Sequence, residues 1–164
     1  MQSILRLVLL VAIAPIIFLQ GCDSTSNESL PNSGQSLCMD LYEMCIEPIV
    51  HTPTRTGQSC SMAGCHVPPV GQDGFFLFNG MPTVGAELVS NFNQVEARTL
   101  NNDLLLTKAT NTGGVHGGGQ QLRVGDLCYT AIQEWSQISF NGGVCPPLPS
   151  GCPVAGAVTI SCGP

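Results

Sequence analysis

Cys60-Ser61-Met62-Ala63-Gly64-Cys65-His66 is the stretch on which the reading of this chain turns. It places an imidazole directly after the second of two nearby thiols. Covalent attachment of haem needs that chemistry: one thiol for each vinyl group, and a histidine beside the second thiol to ligate iron, usually spaced C-x-x-C-H. Here the spacing is C-x4-C-H, which makes a larger loop. In a chain with 9 cysteines, two that happen to precede a histidine arise easily, so the surroundings must decide.

The surroundings first exclude. A chain of 164 residues is expected to form one domain with a modest core. Five Lys+Arg against 11 Asp+Glu give a net charge of −6, which argues against nucleic acid as a partner because a phosphate backbone needs basic clusters. A hydrophobic content of 43% argues against wholesale disorder. Nine cysteines do not suit a reducing cytosol unless they hold a metal or cofactor.

The N-terminus gives an address. Arg6 sits in a short cationic start, and Leu7 to Leu19 is uninterrupted apolar sequence. That run is too short for a bilayer span of ~20 residues and fits a signal-peptide core of ~7–15. Leu19-Gln20-Gly21-Cys22 follows and resembles the lipobox of bacterial lipoproteins, which implies acylation (palmitate or a similar chain) of Cys22 as the mature N-terminus. Several acyl chains make a stable anchor, since each buried CH₂ contributes ~0.8 kcal/mol. Residues 1–21 are therefore expected to be a lipoprotein signal peptide, and 22–36 a lipidated cysteine with a polar, flexible tether. The expected location is the bacterial cell envelope, exported and lipid-anchored to a membrane at its periplasmic face or the cell surface.

In the remainder, Leu37 to Val50 carries apolar residues at near-helical spacing and predicts about three turns, limited by Pro48. Residues 51–74 read as loop, and Gly74-Phe75-Phe76-Leu77-Phe78 as a short strand or core loop. A helix is expected within 84–106 through Val95-Glu96-Ala97, and another over 126–136 with Asp126 as N-cap. Asn111 to Gly119 is a glycine-rich loop around His116, and Trp135 is expected in the core. Lys108 reads as a solvated charge. The tail from Cys145 is Cys/Pro/Gly-rich, with a β-type run at Val158-Thr159-Ile160.

In chain order, 41–50 (LYEMCIEPIV), Cys60…Cys65-His66, Gly74-Phe75-Phe76-Leu77, 104–119 (LLLTKATNTGGVHGGG) and 128–135 (CYTAIQEW) together resemble a c-type cytochrome domain of the kind found in planctomycetes and other environmental bacteria. The resemblance covers about 37–138, and His-Gly-Gly-Gly is its most specific part. It implies a mainly α fold: a small cytochrome c-like helical domain over 37–140 with long loops, extra disulfides and an irregular Cys/Pro/Gly-rich tail over 141–164. It implies one haem c held covalently by Cys60 and Cys65, with His66 as proximal ligand and His116 as the second axial ligand. Met81, in Asn79-Gly80-Met81-Pro82, is the second choice for that position and His51 the third. Glycines beside His116 suit a backbone that approaches a flat ligand closely.

The resemblance also leaves departures: two extra residues in the haem motif, cysteines at 38, 45, 128, 145, 152 and 162, and a tail without counterpart. With Cys22 lipidated and Cys60 and Cys65 on haem, six cysteines remain for three disulfides; without haem, eight make four. Cys38 and Cys45 lie about two helical turns, roughly 10 Å, apart and should not pair with each other. Because the first and last helices of such domains pack together, Cys128 is the expected partner for one of them.

Other readings are weaker. His-Gly-Gly-Gly also occurs as an oxyanion loop in some esterases, but no G-x-S-x-G is present. A zinc site from Cys60, Cys65, His66 and His116 has suitable ligand types, yet an oxidising compartment disfavours free thiolates. No paired carboxylates support acid–base catalysis, so an electron carrier is expected rather than an enzyme. Its partners would be redox proteins of the cell envelope, with the membrane contacted through Cys22. The alternative is a haem-free, disulfide-rich envelope lipoprotein acting as a structural or binding module.

Overall fold

The first helical segment is continuous but changes register midway. In the computed structural model, which describes residues 37–69, 71–80, 82–138, 140, 144–152 and 162, α1 (Met39–Leu41) passes into a π-helical turn (Tyr42–Ile46) and then α2 (Glu47–His51). The amide of Glu47 reaches back to the carbonyl of Tyr42, one residue farther than the α register. The widening lies directly before Pro48, which has no N–H to donate and whose ring crowds the preceding turn. Pro48 therefore does not end the helix as expected. The rod continues to His51, where Thr52 turns extended.

The expected helix within 84–106 resolves into two, α3 (Gly85–Leu100) and α4 (Leu104–Ala109). Between them Asn102 and Asp103 adopt left-handed φ values of 51° and 53°, which short amide and carboxylate side chains tolerate better than apolar ones. The last helix, α5 (Leu127–Ser136), starts as expected: the Asp126 carboxylate accepts the amide hydrogen of Tyr129 at 2.7 Å. Residues 75–78 are loop, with Phe75 and Leu77 buried. A single-turn 3₁₀ segment (Gln72–Gly74) precedes them. No β-strand forms among the described residues, and helices account for less than half of them. None of these helices is long and apolar enough to cross a membrane.

The core gathers where α5 crosses the first rod. Trp135, Tyr42 and Phe92 meet with ring centroids 5.4–6.4 Å apart. Trp135 is fully buried, and its indole N–H donates to the Cys38 carbonyl at 3.1 Å. Three disulfides surround this contact: Cys38–Cys145, Cys45–Cys152 and Cys128–Cys162. Cys38 and Cys45 do not pair with each other, as helix geometry requires, but Cys128 bonds neither of them. The first and last helices do pack, yet the tail lies against α5 closely enough that a Cβ on Gly151 would stand 2.1 Å from the Leu127 carbonyl. Its thiols are the ones that reach the first rod, and Cys128 is left to Cys162. The signal peptide, Cys22 with its tether, Met81 and the run at 158–160 lie outside the described residues.

Candidate functional site

Three of the four expected haem-site residues line one cleft that is open to solvent. Cys60, His66 and His116 belong to its wall, and Cys65 does not. Both Cys60 and Cys65 carry unpaired thiols. Much of the remaining wall is apolar, from Phe75, Leu104, Leu105, Ala109 and Val115.

Each histidine is fixed by its own loop. His66 Nδ1 lies 3.1 Å from the Phe75 carbonyl, in the loop that starts at the 3₁₀ turn, and its ring packs 4.6 Å from that of Phe75. His116 Nδ1 lies 3.1 Å from the Gly119 carbonyl, and the Gly119 amide returns 2.8 Å to the His116 carbonyl. A carbonyl only accepts, so Nδ1 carries the hydrogen in both rings. Neither Nε2 makes a hydrogen bond among the described residues. The two rings are nearly parallel, 23° apart, with centroids at 6.1 Å. The two rings stack on each other, each with its Nδ1 held at a backbone carbonyl.

Electrostatics keep His66 neutral. Burial lowers its pKa to about 4, reinforced by the neighbouring His116 and Arg98 and only partly offset by the Phe75 carbonyl. Burial, with Cys65 adding to it, pushes the Cys60 thiol up to about 11.

The His116 loop has a support that the sequence alone does not single out. Gln121 is buried; its amide N–H donates to the carbonyls of Gly118 and Gly119, and its carbonyl oxygen accepts from Thr54 and Thr56. It ties the His116 loop to the segment that leads into Cys60. A Cβ on Gly118 would fall 3.2 Å from His116 Cε1 and 3.1 Å from the Gln121 amide. Gly118 thus makes room for the imidazole's own packing.

His51, the third candidate ligand, is committed elsewhere. Its Nε2–H donates to Glu47 at 3.0 Å and its Nδ1 lies 2.6 Å from the Ser61 hydroxyl. Glu47 is buried and also accepts from Tyr42, Thr83 and Asn91. Burial would raise the Glu47 pKa, but the bonds from His51, Thr83, Tyr42 and Asn91 together lower it below its ordinary value. Ser61, His51 and Glu47 have the order of a nucleophilic triad, yet Ser61 is only 5% exposed. The string is core structure.

No three His, Cys, Asp or Glu side chains converge as a bare-metal cage among the described residues. Two imidazoles are brought together, whereas a zinc centre would need four ligands. Arg98 and Lys108 also line the cleft; Lys108 is partly buried rather than freely solvated. No family model, curated protein or solved structure matches the chain.

Proposed function

We propose that this chain is a membrane-anchored, c-type cytochrome-like lipoprotein that carries electrons in the bacterial cell envelope. One haem c is bonded through Cys60 and Cys65, with His66 and His116 as its axial ligands. The observation that carries the reading is the pair of near-parallel imidazoles 6.1 Å apart, each with Nδ1–H on a backbone carbonyl and Nε2 unbonded, in an apolar cleft. The cysteine count supports it: three disulfides consume six thiols and leave Cys60 and Cys65 reduced. Haem iron with two imidazoles supplies one-electron redox chemistry with no open position for substrate, at a lower potential than a His/Met pair.

The protein's own part is preorganisation. Phe75 and Gly119 fix both rings, burial keeps His66 neutral and able to ligate, and the apolar wall limits water at the ligands. Cys22 would hold the domain at the membrane, where redox partners reach it.

The test is the absorption spectrum of reduced, denatured protein from the native host, recorded with an intact mass. A covalent haem signature and the mass of one haem are expected. His116→Ala should then abolish the six-coordinate low-spin spectrum. A haem-free mass would end this reading and leave a disulfide-stapled lipoprotein acting as a structural or binding module.

A further inference from the structure

Glu47 stands where three segments meet. It is 3% exposed on α2, and Tyr42, Thr83, Asn91 and His51 donate to its carboxylate. No lysine or arginine bonds it among the described residues. The titratable groups that face it are Tyr42 and His51 from the first rod and, beyond Tyr42, the Cys60 thiol; α3 and residue 83 contribute the neutral Asn91 and Thr83. Burial raises the pKa of Tyr42 and of Cys60, so neither adds a charge. His51 needs one N–H for its two contacts, since Nε2–H faces Glu47 while Nδ1 can accept from the Ser61 hydroxyl. The carboxylate is thus held by hydrogen bonds and left without a cationic partner. Two chains of contacts lead from it toward the cleft. One runs through His51 to Ser61, the neighbour of Cys60. The other runs through Asn91, whose side chain also bonds the amide and carbonyl of Phe78 at 2.8 and 3.0 Å, in the loop whose Phe75 carbonyl holds His66.

We propose that Glu47 is a potential-setting residue: its buried negative charge, on the side of the cleft built by Cys60 and His66, favours the oxidised state of the bound cofactor and lowers its reduction potential. This rests on the haem reading above. An electron added at the cleft is repelled by a fixed anion that the interior screens poorly. The four donors serve this purpose by keeping the carboxylate ionised where burial alone would neutralise it.

Redox titration of the haem-loaded full-length chain, followed by its absorption spectrum, tests this. Glu47→Gln keeps the side chain's shape and removes its charge. At pH 7 it should favour reduction by about threefold to tenfold, which is about 28–59 mV for one electron, with the bis-imidazole spectrum unchanged. Thr83→Val removes one donor and leaves the charge, so its potential at pH 7 should match wild type. An unchanged potential in Glu47→Gln, or an equal rise in Thr83→Val, would overturn the Glu47 assignment and leave the haem reading standing. A pH series from 7 to 3 needs no Glu47 variant to fold. The wild-type potential should rise as Glu47 takes up its proton below the ordinary 4.5, and Thr83→Val should move that rise to higher pH. A potential that stays flat, or a rise that Thr83→Val does not move, would overturn the assignment. A chain that carries no haem would overturn both.

Discussion

Glu47 is a carboxylate in the core, and four donors decide its charge. Because Tyr42, His51, Thr83 and Asn91 favour the ionised form, its folded-state pKa lies below the ordinary 4.5. The folded state therefore binds this proton less readily than the unfolded chain. The associated stability is complete above about pH 4.5 and is lost as pH falls through the folded value. Chemical denaturation of wild type between pH 7 and 3 should show that loss, and Glu47→Gln should be less stable by about 1.5–3 kcal/mol at pH 7 with a flatter acid limb. At Gln121 the measurement is different. Gln121→Ala removes the tie between the His116 loop and Thr54 and Thr56, so amide exchange at 117–119 should speed up while exchange in α5 stays unchanged. The sequence singled out Cys60, His66 and His116, which do line one cleft, because a thiol pair followed by an imidazole and a histidine among glycines stand out by their spacing. Arg98 and Gln121 were not legible, since one charged and one amide residue signal nothing until folding buries them.

At the scale of elements, local rules located the helices and misplaced their ends. Asp126 announced α5 because an N-cap is a local device. The π-helical turn before Pro48 was hidden because it depends on how the rod accommodates a missing donor, and the break at 102–103 because left-handed Asn and Asp leave no trace in periodicity. Two glycines carry the sharpest expectations. Gly118→Ala would press on His116 and Gln121; the neighbouring atoms must shift by a few tenths of an ångström, so ligand affinity should fall with little change in thermal stability. Gly151→Ala would strike the backbone of α5 at Leu127 and Ala131, which cannot yield as a side chain can. It should cost about 1–3 kcal/mol, read as a lower denaturation midpoint with the cleft intact.

For the whole molecule, two disulfides act as the rungs of one clamp. Cys38–Cys145 and Cys45–Cys152 each span 107 residues, so they close nearly the same loop. With one rung present, the other closes only the short circuit between them. By loop entropy a short circuit contributes about 3 kcal/mol and the long one nearer 5. Replacing either pair by alanines should therefore cost about 3 kcal/mol, and replacing both roughly 7 or 8, measured by denaturant titration. The pairing was illegible from sequence because even counts admit many connectivities, and only the packed tail selects among them.

That clamp also sets an order of events in time. The first rod is made at the beginning of the domain, and both of its thiols must wait for partners in a tail made last. During synthesis the nearest available match for Cys38 is Cys45, and for Cys60 it is Cys65. An oxidant that joined cysteines as they emerged would trap these neighbours, one pair of which helix geometry forbids. The native connectivity thus demands an environment that reshuffles disulfides as well as one that forms them, and a cell lacking the isomerising activity should accumulate the chain with its thiols joined in the order they were made.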